Sequence, residues 1–292
     1  MAHIFNNLQS RFRTGTMPVK LIYVNIGVFI VLRAVALVIL LGGGNPDSWL
    51  HIVEIPSHPA LLLTRPWTVI TYMFSQYGIL HLLFNMVWLY WFGRIFLFTG
   101  TPKQMLALYL YGGIAGALLF MTAYNTLPYF NGNESWLIGS SASVIAIVTA
   151  TAVRHPDYKV GLLFLGEVAL KWIAIVTIGI SVLSIPDGNA GGNIAHVGGA
   201  IIGAIYGMML NNGTDITRPL NNMLDSAANA WKRITTPRTS GRNSSNSRQA
   251  PENRENDQEI LDRILDKIKK SGYTSLTADE KKTLFDVSKR IK

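Results

Sequence analysis

The sequence predicts an all-α, polytopic membrane protein in which six transmembrane helices form a bundle and a short helical hairpin follows at the C-terminus. The composition supports this class, since 49% of the 292 residues are hydrophobic and only 15% are charged. The charge is also uneven, because residues 212–292 hold 16 of the 26 lysines and arginines. We therefore expect a membrane domain that carries a basic, polar tail.

Six apolar runs precede the tail, each close to the roughly 17–25 residues that a helix needs to cross a bilayer. They cover residues 21–41, 79–98, 105–124, 136–153, 169–185 and 192–210. Basic residues precede the first run as in a signal peptide, but its length and the five later runs favour a retained span. The predicted organisation is a cytoplasmic basic N-terminus (1–20), a membrane domain (21–211), a flexible cytoplasmic linker (212–256) and an amphipathic helical hairpin (257–292).

The distribution of positive charge between the loops predicts the orientation of the spans. If the N-terminus is cytoplasmic, the outer loops keep Arg65 as their only lysine or arginine. We therefore expect both termini to be cytoplasmic, in a bacterial cytoplasmic membrane. The net charge of +9 then favours contact with the lipid bilayer, and no basic stripe interleaved with aromatic residues indicates nucleic acid.

The absence of cysteine limits the chemistry that the chain can perform. It excludes disulfides, thiolate zinc sites and cysteine nucleophiles. No metal ion and no other cofactor is predicted. A hydrolytic site would have to be built from serine, histidine or carboxylates.

Four polar side chains are expected to meet in the outer half of the membrane. The second, fourth and sixth spans run in the same direction, so their N-terminal turns share one leaflet. They carry His81 with Asn85, Ser141, and His196. Each residue has a structural alternative, such as a bond to its own helix for Ser141 or a tether between helices for His196. The combination favours a nucleophile with its base.

Small residues predict close contact between the fourth and sixth spans. Gly199 and Gly203 lie four residues apart below His196, and Ala142 adjoins Ser141 on the fourth span. Small residues at such spacing let two membrane helices approach closely. A stripe of this kind specifies no chemistry, but it would bring the two polar side chains within hydrogen-bond reach.

The motifs together resemble those of the rhomboid family of intramembrane serine proteases, over about residues 15–211. They are, in chain order, Arg65-Pro66-Trp67-Thr68, His81-x-x-x-Asn85, Gly139-Ser140-Ser141-Ala142 and Ala195-His196-x-x-Gly199-x-x-x-Gly203. The resemblance implies a six-helix fold in which Gly139, Gly199 and Gly203 serve helix packing near the site. The predicted C-terminal hairpin resembles the tails of some bacterial members.

The resemblance also implies a function, that of an intramembrane serine endopeptidase with a Ser-His dyad. Ser141 would attack the scissile carbonyl after His196 takes its proton, because an unaided hydroxyl is a weak nucleophile. His81, Asn85 and the backbone N–H of Ser141 would form the oxyanion hole. The substrates would be transmembrane proteins, chiefly single-span ones, that enter between the second and fifth helices beneath a cap near residues 186–192.

Three positions depart from the family pattern. Ala142 follows the serine, where many members have glycine, and Gln76 stands where some have a further histidine. Ile145 lies where some members carry an aromatic ring that stacks on the catalytic histidine. Since no acidic residue lies at a suitable depth, His196 is expected to be oriented by packing.

Two other functional classes remain open. A catalytically silent protein of the same fold could bind or escort membrane proteins, although the intact set of Ser141, His196, His81 and Asn85 argues against it. A small transporter would place paired, discontinuous helices at the membrane midplane, whereas the polar groups here are expected in the outer half.

The tail carries two helical patterns. Its first apolar face ends before Gly272, which suits the residue after a helix, and comprises Ile260, Leu261, Ile264, Leu265 and Ile268. A capping-box pattern from Thr277 to Glu280 then predicts a second helix that bears Leu284, Phe285 and Ile291. Docking, self-association and a merely solvated appendage all remain possible roles for this hairpin.

Overall fold

Helices dominate the structure, a computed structural model that describes residues 9–10, 12–130, 132–162, 166–235, 252–272, 275–277, 279–281 and 283–284. The predicted all-α class is confirmed. The helices are α1 (Met17–Leu41), α2 (Pro46–Leu50), α3 (Pro59–Thr64), α4 (Thr68–Thr71), α5 (Ile79–Phe96), α6 (Pro102–Thr126), α7 (Ser141–Arg154), α8 (Leu170–Leu183), α9 (Ala190–Asn211), α10 (Arg218–Thr235) and α11 (Glu252–Ser271).

Two small antiparallel ladders, which the sequence did not predict, lie in the connections. The first pairs β1 (Ile55–Pro56) with β2 (Trp136–Leu137). The second pairs β3 (Lys159–Leu162) with β4 (Gly166–Ala169) between α7 and α8. Both are short, and the first one matters for the site because it holds the segment that precedes α7.

Each of the six apolar runs contains one apolar helix, but these helices differ in length. Among the described residues, α1, α5, α6 and α9 are long and apolar enough to cross a membrane. The helices α7 and α8 have 14 residues each, about 21 Å at about 1.5 Å per residue, against a hydrocarbon core of about 30 Å. The count of six spans therefore stays a prediction. Large side chains such as Val38 and Leu183 are exposed on the outer faces, as expected for contact with lipid.

The start of α7 differs from the sequence prediction. The predicted span began at residue 136, but Trp136 belongs to β2, and Gly139 has a φ of +137° that a helix does not accept. The helix begins only at Ser141. Ser141 is therefore its first helical residue and does not lie one turn inside it. Gly139 lies outside any helix, so its predicted role in helix packing is wrong, and it forms the turn that delivers Ser141.

The loop between α1 and α5 holds this turn in place. The ring of His51 stacks on Trp136 with a centroid distance of 4.0 Å, and the guanidinium of Arg65 lies 5.4 Å from the same indole ring. The backbone N–H of Gly139 donates to the carbonyl of Tyr72 at 3.0 Å. Contacts on both sides of the turn therefore fix the entry into α7.

The predicted close contact between the fourth and sixth spans is observed between α7 and α9. A Cβ atom added at Gly199 would lie 2.1 Å from the carbonyl oxygen of Ala142, and one added at Gly203 would lie 2.3 Å from that of Ala146. Both distances are far below van der Waals contact. The two helices therefore touch backbone to backbone, and only glycine fits at these two positions of α9.

The predicted flexible linker is wrong in its first part, because residues 218–235 form α10. Composition favoured a linker, whereas long-range contacts order this segment. Lys103 forms an ion pair with Asp225 at 2.7 Å, and the amide of Gln104 donates to Asp215 at 2.8 Å. Burial alone would raise the pKa of Asp215, but hydrogen bonds from Thr217 and Gln104 outweigh it and hold that pKa below its ordinary value.

Most of the tail belongs to a second compact unit, Arg233–Lys292, and the first unit is Met1–Lys232. Helix α11 ends as predicted before Gly272, which has a φ of +78°. The predicted capping box is present, with the N–H of Thr277 donating to Glu280 at 2.8 Å and the N–H of Glu280 donating to the Thr277 hydroxyl at 3.3 Å. Phe285 and Ile291, predicted on the second helix, lie outside the described residues.

The contact between α7 and α9 can be tested with Gly203→Ala. The added methyl group meets the carbonyl oxygen of Ala146, so the helices must separate, and we expect a loss on the order of 1–3 kcal/mol. Thermal unfolding in detergent micelles measures the effect. Gly27→Ala on α1 is the matched control, because nothing lies within 4 Å of its added Cβ. Equal unfolding temperatures for the two variants would contradict the packing described here.

The pKa of Glu280 gives a second test, on the C-terminal unit. Hydrogen bonds from Lys267 and from the Thr277 backbone lower this pKa to about 2 from an ordinary value of 4.5. Because the folded state disfavours the proton, the stabilising contribution is present above pH 4.5 and is lost as the pH falls towards 2. We expect Lys267→Gln to raise the pKa of Glu280 and Lys269→Gln to leave it unchanged, as measured by carboxyl-carbon NMR titration of the full chain. If the pKa of Glu280 were unchanged in Lys267→Gln, the assignment of Lys267 as the main cause of the lowered pKa would be refuted.

Candidate active site

A cavity of about 340 Å³ lies between α5, α7, α8 and α9. The four polar residues predicted to meet, Ser141, His196, His81 and Asn85, all line it. The remaining lining is mostly apolar and comprises Phe84, Trp88, Val144, Ile145 and Ile180, with Thr177, Ser181 and Asn193 as further polar residues. The cavity is therefore an apolar cleft with a small number of converging polar groups, which is typical of a binding or catalytic site.

Ser141 and His196 are in direct contact within this cavity. The Oγ atom of Ser141 lies 2.7 Å from Nε2 of His196, the usual distance of a strong hydrogen bond to a ring nitrogen. The contact follows from the packing of α7 on α9, because Ser141 precedes Ala142 and His196 lies one turn before Gly199. A hydroxyl in this arrangement can pass its proton to the imidazole.

The ring of His81 lies beside the turn that delivers Ser141. A Cβ atom added at Gly139 would come within 3.2 Å of Cε1 of His81 and 3.7 Å of the Ser141 hydroxyl. Glycine is therefore required at 139 for two reasons, the positive φ and the proximity of this ring.

Asn85 is held by a residue that lies outside the cavity lining. Its side-chain amide donates to Oε1 of Gln76 at 2.9 Å, and the Gln76 side chain is fully buried. The Gln76 amide in turn donates to the Ser140 hydroxyl at 3.1 Å and to Asn25 at 3.2 Å. Gln76 thus joins Asn85 to the residue that immediately precedes Ser141.

The network continues through α1 and α6. The amide of Asn25 donates to the hydroxyl of Tyr109 at 3.1 Å, and that hydroxyl donates to the carbonyl of Met73 at 2.7 Å. Asn25 and Tyr109 are fully buried. Buried polar groups are costly unless they are paired, so this network holds five parts of the fold in one arrangement next to the cavity, namely α1, the segment before α5, α5, α6 and the turn before α7.

The second ring nitrogen of His196 also has a partner. Nδ1 lies 3.1 Å from the hydroxyl of Ser181 on α8. Ile145, at the position where the family resemblance raised the question of an aromatic ring, lines the cavity as an apolar wall. The imidazole is therefore contacted by polar atoms at both nitrogens, whereas packing alone was expected to orient it.

The segment predicted as a cap leads directly into α9. The side-chain amide of Asn193 donates to the carbonyl of Ser184 at 2.6 Å, which ties the start of α9 to the end of α8. Asn193 lies three residues before His196 and lines the cavity.

The described residues show no group of three or more His, Cys, Asp or Glu side chains arranged to hold a metal ion.

The sequence did not indicate Ser181 and Asn193 as residues of this site, and it did not indicate the structural role of Gln76. All three are polar residues in or next to apolar segments, and that signal was available. Their partners could not be identified, because Gln76 is 64 residues away from Ser140, and Ser181 is 15 residues away from His196.

Comparisons with known proteins agree with this architecture. Residues 63–213 match the rhomboid domain, and residues 248–290 match a family of unknown function (DUF6576). The chain is 31% identical over 160 residues to RHOMBOID-like protein 12, mitochondrial, of Arabidopsis thaliana. It is 29% identical over 152 residues to Presenilin-associated rhomboid-like protein A, mitochondrial, of Danio rerio. These matches cover 51% and 49% of this chain.

The match to the rhomboid domain extends over more than half of the 292 residues, and the chain belongs to the rhomboid family. It is accordingly an integral membrane protein with a rhomboid helical bundle. The matched regions span 48% and 37% of the two relatives' own lengths, so the chain covers about half of these proteins or less.

The polar network behind the cavity predicts a stability effect for Gln76→Ala. The change removes the buried partner that Asn85, Ser140 and Asn25 share, and a buried polar group left unpaired costs about 1–3 kcal/mol. We expect a clearly lower unfolding temperature in detergent. The control is Asn125→Ala, which removes an amide that also donates two hydrogen bonds but is exposed, so that water can replace it. A Gln76→Ala protein as stable as this control would show that the network does not stabilise the fold.

Proposed function

We propose that the protein is an intramembrane serine endopeptidase that hydrolyses peptide bonds in or near transmembrane segments. The observation that carries the proposal is the 2.7 Å contact between the Ser141 hydroxyl and Nε2 of His196 in a cavity shared with His81 and Asn85. Membership of the rhomboid family supports it as well. Ser141 is the nucleophile and His196 the general base.

The reaction begins with transfer of the Ser141 hydroxyl proton to Nε2 of His196. The Oγ atom forms a bond to the scissile carbonyl carbon, and the carbonyl electron pair becomes an oxyanion. When the tetrahedral intermediate collapses, the carbon–nitrogen bond breaks and the proton on Nε2 passes to the leaving amine. Water then attacks the acyl-enzyme, His196 again acts as base, and the Ser141 hydroxyl is restored.

Stabilisation of the oxyanion is assigned to His81, Asn85 and the backbone N–H of Ser141. Because α7 begins at Ser141, the N–H groups of its first turn have no partner within the helix and carry partial positive charge. Asn85 has two amide hydrogens, and the bond to Gln76 uses one of them. Donors placed in this way are each worth on the order of 3 kcal/mol in the transition state.

The cavity also suits an apolar, extended substrate. Its walls of Phe84, Trp88, Val144 and Ile180 come from α5, α7 and α8, so a transmembrane segment could approach between α5 and α8. A scissile bond in such a segment must first leave its helical hydrogen bonds. We infer that single-span proteins with a locally unstable helix are the substrates.

The orientation that we propose places the basic loops and both termini on one side of the membrane and the site towards the other. The bacterial cytoplasmic membrane expected from the sequence gains no support from the comparisons, because the relatives are named as mitochondrial or chloroplastic. The proposal therefore concerns the sidedness and not the compartment.

The competing proposal is a catalytically silent member that binds or escorts membrane proteins. The two proposals predict different results in two measurements. A protease reacts at Ser141 with a fluorophosphonate probe and cuts a model single-span substrate in detergent, whereas an escort protein retains the substrate uncut and leaves the probe unreacted.

The dyad is tested with Ser141→Ala and His196→Ala. Each change is expected to reduce cleavage of the model substrate by about 10⁴-fold or more, because the residues of such a dyad act as a unit. His81→Ala and Asn85→Ala should each lower kcat by about 10²- to 10³-fold. Cleavage is followed by gel analysis with purified protein.

Ser143→Ala is the matched control for the nucleophile. It removes a buried hydroxyl two residues further along α7 that has no hydrogen-bond partner in the part of the chain that the structure describes, and the variant should cleave as the wild type does. Cleavage that survives Ser141→Ala, or loss of cleavage with Ser143→Ala in a folded protein, would overturn the assignment of Ser141.

A further inference from the structure

Ser181 on α8 contacts both its own helix and the ring of His196. Its side chain is buried, and its Oγ atom makes two contacts, one of 3.0 Å with the backbone carbonyl of Thr177 and one of 3.1 Å with Nδ1 of His196. A serine in a membrane helix often bonds only to the carbonyl four residues earlier. The contact with the imidazole is additional to that bond.

The direction of both hydrogen bonds follows from counting protons. A hydroxyl has one proton to donate, and the carbonyl of Thr177 can only accept. For both contacts to be hydrogen bonds at the same time, the proton of Ser181 points to Thr177, and towards His196 the Ser181 oxygen accepts. Nδ1 of His196 must then carry the hydrogen of the neutral imidazole, which leaves the lone pair of Nε2 facing the Ser141 hydroxyl.

We propose that Ser181 is a positioning residue that holds His196 in the Nδ1–H tautomer, the form in which Nε2 can accept the proton of Ser141. The inference rests on the proposed protease function, since it assigns the group that orients the base. Ser181 thus takes the place that a carboxylate holds in a Ser-His-Asp triad. The carbonyl of Thr177 accepts the proton of the Ser181 hydroxyl and so fixes the orientation of that hydroxyl.

The arrangement also explains how the His196 imidazole is oriented without an acidic residue and without an aromatic ring at position 145. Ile145 provides an apolar wall but no acceptor for Nδ1. A carboxylate at this depth would carry a large desolvation cost, whereas a hydroxyl accepts the same hydrogen bond without a net charge. When His196 becomes imidazolium, Ser181 still accepts from Nδ1–H.

Because Ser181 lies on α8, the tautomer of His196 depends on the packing of this helix. Thr177, Ile180 and Ser181 all belong to this helix and all line the cavity. His196 belongs to α9, so its second nitrogen finds its acceptor only while α8 is packed against α9. The base is therefore set in its working form by the helix that also forms one wall of the cavity.

The tautomer of His196 can be measured directly by ¹⁵N NMR of the full chain labelled at histidine, in detergent micelles. The His196 signals are identified by their loss in His196→Asn. The wild type should show Nδ1–H, and Ser181→Ala should shift the population towards Nε2–H. Ser181→Thr keeps a hydroxyl that can bond in both directions and should retain the wild-type tautomer. Thr151→Val is the control, because it removes a buried hydroxyl that also bonds to the carbonyl four residues earlier but does not line the cavity.

The kinetic test uses the same variants with the model single-span substrate. Ser181→Ala should lower kcat about 10- to 100-fold with little change in KM, less than the roughly 10⁴-fold loss seen when a triad histidine is held in the wrong tautomer, because a hydroxyl is a weaker acceptor than a carboxylate. Ser181→Thr and Thr151→Val should stay near the wild-type rate. A loss of stability alone would lower the folded fraction and not produce a tautomer change.

The outcomes separate the two proposals. If His196 shows Nε2–H in the wild type, or if Ser181→Ala leaves its tautomer unchanged, Ser181 has no positioning role, whatever the activity. If the tautomer responds as expected but the wild type neither cleaves substrate nor reacts with fluorophosphonate, the positioning stands and the protease function fails. If the tautomer responds and kcat does not, the role of Ser181 in the reaction is overturned.

Discussion

The backbone contact between α7 and α9 is the constraint on which the site depends. The carbonyl oxygens of Ala142 and Ala146 occupy the space that side chains at Gly199 and Gly203 would need. Ser141 and His196 are next to this contact on their respective helices, so the approach of the two backbones determines the distance between hydroxyl and imidazole. In a lipid environment, where apolar surface alone does little to drive helices together, such close packing supplies much of the cohesion.

The second requirement is a set of paired polar side chains next to the cavity. On the side of α5, Gln76 joins Asn85 to Ser140 and to Asn25. On the side of α8, the hydroxyl of Ser181 lies 3.1 Å from Nδ1 of His196. Groups that are held in this way keep their orientation before any substrate arrives, and such preorganisation is the main source of electrostatic stabilisation in catalysis. The same hydrogen bonds that offset the cost of burying these groups therefore also hold them in the orientation that the proposed reaction needs.

Long-range contacts tie helix α10 to the membrane bundle. Helix α10 follows α9 and is held at the start of α6 by the ion pair between Lys103 and Asp225 and by the bond from Gln104 to Asp215. The C-terminal unit, which matches a family of unknown function, has its own capping box and its own ion pair between Lys267 and Glu280. All the residues that we assign to the proposed activity belong to the bundle.

The sequence alone was sufficient for the helical class, for the positions of α1, α5, α6 and α9, and for the choice of Ser141, His196, His81 and Asn85 as candidates. Hydropathy and motif spacing are properties of short stretches, and these features are encoded locally. The start of α7, the helical character of residues 218–235, and the partners Gln76 and Ser181 were decided by the tertiary structure. Trp136 pairs with a strand 80 residues earlier in the chain, since it lies opposite Pro56, and the partner of His196 comes from a neighbouring helix. Such contacts depend on which segments the packed helices bring together, and no local pattern of residues records that information.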